Sequence, residues 1–260
     1  MKHAEGSGLR ARGSCPQPTA HSPQRLTAAE QLIVALDFTT LGQAVTTAGR
    51  LRGLARTVKV GSALFTACGP AAIRRLRALG FEVMLDLKFH DIPSTVELSC
   101  RAAAQHRVSM LTVHAAGGRA MLEAAVGGAR AGAHRRGVAK PRVLAVTLLT
   151  SVAGADSTAL TARVMRLAQD ARQAGCDGVV ASAQEAAALR RRFGAAFWIV
   201  CPGIRPAQAG AGDQQRIATP REALARGADA LVIGRPITAA ARPRAAAQQI
   251  LREIEGDHAC

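Results

Sequence analysis

From residue 30 onward the chain alternates between two kinds of segment. Short apolar or β-branched runs are followed by Ala-, Leu- and Arg-rich runs of helical length. The strand candidates are Leu32–Asp37, Thr57–Gly61, Glu82–Lys88, Met110–Ala115, Arg142–Leu149, Gly178–Ser182, Phe197–Cys201 and Ala230–Gly234. Each is too apolar to have one wet face, which is the pattern of parallel strands buried on both sides. Strand then helix, repeated eight times, is the arithmetic of an α/β (β/α)8 TIM barrel. A doubly wound open sheet is the alternative. It more often carries a Gly-rich turn after its first strand, and Asp37-Phe38-Thr39-Thr40 is not one. The expected organisation is a single barrel over residues 30–256. Residues 1–29, rich in Gly, Ser, Pro, Gln and Arg without an apolar period, read as a flexible extension.

Helix punctuation agrees with this rhythm. Pro70 suits a first helical turn, and Gly80, Gly175 and Gly194 suit the positions after three helix ends. Ser94 to Glu97, Ser182 to Glu185 and Thr219 to Glu222 have capping-box spacing.

Composition narrows the function classes. Hydrophobic residues make up 48% and aromatics 3%, so the core must be built from Ala, Val, Leu and Ile. No apolar run reaches the roughly 18–20 residues of a membrane helix, and the first 30 residues lack the apolar core of a secretory signal. The six cysteines form no C-x-x-C pair, which fits a reduced, cytoplasmic setting. A net charge of +16 raises the question of nucleic acid. The arginines are scattered over helical stretches, however, and few aromatics are available to stack on bases. A solvated basic surface is the expectation.

The kind of basic residue is more telling than the number. Only four of the 34 are lysine: Lys2, Lys59, Lys88 and Lys140. Arginine stays protonated, whereas lysine can give up a proton when its site demands it. Lys59 and Lys88 fall in or at the ends of strand candidates, and Lys88 sits between Asp86 and Asp91. Alternation along a strand puts Asp86 and Lys88 on the same face. In a barrel, catalytic groups gather at the C-terminal strand ends. Those positions hold Asp37, Lys59, Asp86, Lys88, His114, Thr150, Ser151, Ser182, Pro202 to Arg205, Gly234 and Arg235. His114 reads as a hydrogen-bonded residue of a second layer. Pro202-Gly203-Ile204-Arg205 and Gly234-Arg235 suit a phosphate, because glycine admits an oxyanion to the backbone and arginine offers a planar fork. The small-residue run Ala207–Gly212 reads as a lid.

These motifs together resemble the orotidine 5'-phosphate decarboxylase family. The resemblance runs from about residue 31 to 250. It is carried by Val34-Ala-Leu-Asp37, Val58-Lys-Val-Gly61, Leu85-Asp-Leu-Lys-Phe-His-Asp-Ile-Pro93, Val113-His-Ala-Ala-Gly-Gly118, Val146-Thr-Leu-Leu-Thr-Ser151, Asp177-Gly-Val-Val-Ala-Ser182, Pro202-Gly-Ile-Arg205 and Ile233-Gly-Arg-Pro-Ile-Thr238. Pro236 stands where many members have Ser. The resemblance implies an enzyme that uses no metal and no cofactor, and that removes CO2 from C6 of the orotate ring to give UMP. It implies that Lys59, Asp86, Lys88 and Asp91 form an alternating charged array. Asp37 and Lys59 would bind ribose hydroxyls, and Thr150 and Ser151 would face the pyrimidine. Pro202 would lie beside the substrate, while Arg205, Gln214, Gly234 and Arg235 would hold the phosphate. Asp91, Ile92 and Thr95 would serve the neighbouring subunit of a homodimer.

Two rival readings follow from the same residues. Related sugar-phosphate barrels share the D-x-K-x-x-D core but use Mg2+ with an acidic ligand at the end of strand two, where this chain has Lys59. A basic nucleic-acid-binding barrel without catalysis would leave the charged array unexplained.

Overall fold

The computed structural model describes residues 26–149, 157–206 and 218–256. Eight parallel strands close into a barrel in sequence order, β1 next to β2 and so on round to β8 beside β1. They are β1 (Leu32–Ala35), β2 (Thr57–Gly61), β3 (Glu82–Phe89), β4 (Met110–His114), β5 (Arg142–Val146), β6 (Gly178–Val180), β7 (Trp198–Cys201) and β8 (Ala230–Ile233). All eight expected strands are present. Most stop short of their expected C-terminal ends, because the last residues turn out of the ladder to line the barrel mouth.

A short helix, α1 (Ala28–Gln31), precedes β1. The outer layer follows as α2 (Leu41–Arg50), α3 (Ser62–Cys68), α4 (Pro70–Ala78), α5 (Pro93–Gln105), α6 (Gly118–Arg136), α7 (Ser157–Gln173), α8 (Ala183–Phe193), α9 (Pro220–Ala225), α10 (Arg235–Thr238) and α11 (Pro243–Glu255). Pro70 opens α4 as expected. Thr219 and Glu222 form the expected reciprocal cap, with the Glu222 amide donating to the Thr219 hydroxyl at 3.2 Å and the Thr219 amide to the Glu222 carboxylate at 2.9 Å. The other two boxes do not form as read. At Ser182 the hydroxyl accepts from the Gln184 amide at 3.3 Å, while Glu185 is buried. At α5, Pro93 takes the first helical position, so the cap residue is Ile92 and not Ser94, and Glu97 pairs with Arg101 one turn on.

The apolar residues divide into two cores. The larger lies between strands and helices and is rich in Ala, Val and Leu, as the composition requires. The smaller fills the barrel interior with Ile33, Ala35, Met84, Met110, Leu144, Val146, Val180, Val200, Ala230 and Val232. These inward positions recur with period two along each strand, so the same parity carried upward places Asp37, Asp86 and Gly234 over the apolar floor.

Charged pairs fasten the opposite end, where the strands begin. Arg56 bridges Glu30 at 2.7 Å and Glu82 at 2.9 Å. Asp177 accepts from Lys140 at 2.6 Å and from the Val143 amide at 2.8 Å. Asp229 accepts from Arg190 at 2.5 Å and from the Ile199 amide at 2.7 Å. Arg190 also donates to the carbonyls of Gly194, Phe197 and Gly227. It therefore ties α8, β7 and β8 together, although its place in Arg190-Arg191-Arg192 suggests only a solvated surface. On this same face α1 meets the end of α11, and Leu26, Ala28, Ile254 and Gly256 border one recess.

Helices α5 and α6 pack with almost nothing between them. A Cβ on Gly128 would stand 2.2 Å from the Glu97 carbonyl oxygen, and one on Gly132 would stand 2.2 Å from that of Arg101. Glycine at both positions lets the two backbones touch. This close seat fixes the direction in which α5, and with it Ile92 and Thr95, leaves the barrel mouth.

Candidate active site

The strand ends surround a cavity of about 540 Å3. Asp37, Lys59, Asp86, Lys88, Pro202, Arg205, Gly234 and Arg235 all line it, as expected for those eight residues. Its apolar wall comes from Ala35, Met84, Val146, Leu148, Leu149, Val180 and Val232. None of these was among the expected site residues. Ala35, Met84 and Val232 each lie two positions before an expected one, so strand alternation could have found them.

Four charged side chains run across the floor in alternating order. Lys59 Nζ is 2.9 Å from Asp37 Oδ1 and 3.3 Å from Asp86 Oδ2, and Lys88 Nζ is 2.9 Å from the same Asp86 oxygen. Asp86 Oδ1 accepts from the Thr112 hydroxyl at 2.9 Å. Burial alone would push the Asp86 carboxyl up, but Lys59, Lys88 and Thr112 outweigh it and hold its pKa below the usual carboxylate range. Burial likewise opposes the charge on Lys59. Asp86 and Asp37 more than offset it, so the Lys59 pKa lies above the ordinary lysine value. Lys59 and Asp86, the two buried members, thus hold each other in the charged form, while Asp37 and then Lys88 are the members most open to the cavity.

Asp86 and Lys88 do share a face, but regular alternation is not the reason. β3 pairs with β4 at Leu85–Leu111 and next at Phe89–Val113, so β3 uses four steps where β4 uses two. The extra residues buckle the strand inward. Lys88 has φ +51°, a left-handed conformation that a non-glycine residue adopts at a cost.

His114 lies behind this bulge. Its ring centroid is 5.3 Å from that of His90. It belongs to a second layer as expected, but its buried Nδ1 has no hydrogen-bond partner among the described residues, contrary to the reading of it as hydrogen bonded. Burial first, then the neighbouring His90 and Lys88, lowers its pKa.

At the far side of the cavity stand Arg205, after β7, and Arg235, after β8. Burial lowers the Arg205 pKa and the charge of Arg235 lowers it further. Two guanidinium groups lining one cavity can each offer a planar fork to an anion. Gly203, at φ +74°, makes the sharp turn that brings Arg205 back over the mouth.

Asp91, Ile92 and Thr95 do not line this cavity. All three are exposed, and among the described residues Asp91 Oδ1 accepts from the Ile92 amide, at 2.7 Å. Thr150, Ser151, Gln214 and the Ala207–Gly212 run lie outside the described residues. Among the described residues no three His, Cys, Asp or Glu side chains gather as a metal site requires, and no helix is long and apolar enough to cross a membrane.

Known proteins share both the sequence and the shape. The chain is 52% identical over 230 residues to the orotidine 5'-phosphate decarboxylase of Halorhodospira halophila, covering 86% of this chain and 95% of that one. It is 48% identical over 241 residues to that of Moorella thermoacetica, covering 89% and 94%. The crystal structure of orotidine 5'-phosphate decarboxylase from Lactobacillus acidophilus superposes with a TM-score of 0.75 at 37% identity, over 86% of this chain and 99% of that one. The defining pattern of one family matches residues 30–250, which take in all eight strands and the whole charged array. On that match the chain belongs to the orotidine 5'-phosphate decarboxylase / HUMPS family.

Proposed function

We infer that this chain removes CO2 from C6 of orotidine 5'-phosphate to give UMP, the closing step of pyrimidine nucleotide synthesis. The observation that carries the reading is the Asp37–Lys59–Asp86–Lys88 network beneath a cavity with two arginines on its far wall. Breaking the C6–carboxylate bond leaves an electron pair at C6 with no conjugated group to receive it. Asp86 supplies a negative charge near the departing carboxylate, and like charges at close range oppose the ground state. Lys88 supplies a positive charge where the electron pair develops, and then the proton that turns C6 into C–H. Asp37 and Lys59 bind the ribose hydroxyls, and Arg205, Gln214, Gly234 and Arg235 take the phosphate. Pro202 closes the side of the cavity, and Thr150 and Ser151 face the pyrimidine. Residues 30–256 act as one catalytic domain, to which residues 1–29 are an extension.

The strand-two position separates this reading from its Mg2+-dependent relatives. A cation at Lys59 repels a divalent metal, and Gly61 leaves room only for Asp37 and Lys59, since a Cβ there would lie 2.9 Å from Asp37 Oδ1. Purified protein in EDTA should convert orotidine 5'-phosphate at its full rate, followed by the ultraviolet absorbance of the orotate ring. No turnover, or turnover only with added Mg2+, would sink the reading.

The enzyme acts as a homodimer with shared sites, in a reduced cytoplasm that suits the buried free thiols Cys100, Cys176 and Cys201. Support for the dimer lies at the start of α5. Ile92 and Leu98 are 63% and 60% exposed, an unusual position for large apolar side chains, and Asp91 and Thr95 stand beside them away from their own cavity. In this arrangement Asp91, Ile92 and Thr95 complete the partner's site. Inactive Asp91→Ala and inactive Lys88→Ala proteins, mixed under exchange, then regain activity, because each hybrid dimer has one site with all its groups. Random exchange makes half the dimers hybrid, so recovery reaches about one quarter of wild type. Proven subunit exchange without recovery would refute a shared site.

A further inference from the structure

Thr112 is a polar residue on β4 with no exposed surface, two positions after the interior-facing Met110. Its hydroxyl makes two contacts, both to the segment of β3 that carries the chemistry. It accepts from the Lys88 backbone amide at 2.9 Å and donates to Asp86 Oδ1 at 2.9 Å. Each end of that bridge answers a specific need. Leu87 and Lys88 have no register partner on either β2 or β4, so the bulge removes the Lys88 amide from the ladder. A buried amide left without an acceptor is unfavourable, and Lys88 already adopts a left-handed backbone. At the other end, Asp86 directs only Oδ2 to the lysines. Without a donor on Oδ1 the carboxylate is free to turn and offer both oxygens to Lys59 and Lys88.

We propose that Thr112 is a positioning residue of the decarboxylation, whose single hydroxyl holds the Lys88 backbone in its buckled form and fixes the rotation of the Asp86 carboxylate. The inference rests on the functional reading above and adds to it a residue that touches neither the cavity nor the substrate. Its effect falls on the chemical step, since the spacing of carboxylate and ammonium matters most when charge moves from one to the other.

The test compares Thr112→Val, which keeps the shape and loses the hydroxyl, with Thr112→Ser, which keeps the hydroxyl. Thr112→Val should lower kcat by about 10^2-fold with KM within roughly threefold of wild type, the signature of a contact realised at the transition state. Thr112→Ser should stay within about fivefold of wild type. In an Asp86→Asn background, Thr112→Val should lose most of its effect, because the two residues act as a unit. If Thr112→Val does not fold, Thr112→Ala against Thr112→Ser supplies the same comparison, since the two leave similar space and differ by the hydroxyl. Equal kcat in Val and wild type, or equal losses in the hydroxyl-bearing and hydroxyl-free variants, overturns the proposal. Wild type that fails to turn over orotidine 5'-phosphate defeats the parent reading, whereas active wild type with an equally active Val variant defeats only the role of Thr112.

Discussion

Lys88→Ala should reduce turnover of orotidine 5'-phosphate by on the order of 10^5-fold, a product of the separate gains from proton donation and from charge stabilisation. The size follows from the two tasks that one atom performs. Lys88 Nζ sits 2.9 Å from Asp86 Oδ2, so it pairs with that carboxylate in the resting site, and in the proposed reaction it faces the reacting carbon when substrate fills the cavity. Under the proposed mechanism, removing it takes away the counter-charge for the electron pair at C6 and the proton that ends the reaction. It also leaves Lys59 as the one remaining ionic partner of Asp86 among the described residues. A phosphate-bearing nucleotide that cannot react should still bind, because the arginines at the far wall are untouched. Calorimetric titration with UMP, beside single-turnover measurement of decarboxylation, separates the two effects. Turnover within tenfold of wild type would remove Lys88 from the proton-donor role. Lys88→Arg should rescue little, since guanidinium keeps the charge but does not readily release a proton.

Arg235→Ala should lower kcat/KM by roughly 10^2- to 10^3-fold, the equivalent of about 3–4 kcal/mol for charge-assisted hydrogen bonds to a dianion in a closed site. The phosphate is remote from C6, yet its binding energy can be expressed in the chemical step if it helps to assemble the site around the ring. A cycle with a truncated substrate tests this. For the nucleoside orotidine, which lacks the phosphate, Arg235→Ala should change kcat/KM by no more than a few-fold. A variant that loses as much on the nucleoside as on the nucleotide would show that Arg235 acts on something other than phosphate. Arg205, whose pKa is already lowered by burial and by Arg235, gains in the Ala variant from the loss of a like charge. The measured loss therefore understates the direct contact.

Residue type alone makes the barrel legible in the sequence. Strands buried on both faces must be apolar along their whole length, and eight such runs separated by helical spans leave few other architectures. The strand ends were legible too, because Asp37, Lys59, Asp86 and Lys88 interrupt apolar runs with charge. The features that stayed hidden depend on partners distant in sequence. Nothing in Asp86-Leu87-Lys88-Phe89 announces that β3 buckles there, since the segment contains neither glycine nor proline. Thr112 is β-branched and fits any strand interior, so its hydroxyl gains meaning only from a neighbour strand 26 residues earlier. Arg190 reads as one of three surface arginines until Asp229 and three carbonyls are found around it. At α5 the capping-box spacing of Ser94 and Glu97 lost to Pro93, whose fixed φ claims the first helical position.

The meeting of α1 with the end of α11, on the face away from the cavity, has a topological consequence. The ladder between β1 and β8 already closes the ring without a covalent link between the ends of the described chain. With Leu26 and Gly256 bordering one recess, the barrel is nearly a circle that happens to be cut at that point. A circularly permuted chain, joined there and reopened in another loop of the same face, would preserve every strand neighbour and every charged contact at the mouth. The order in which the strands are synthesised is therefore separable from the order in which they stand.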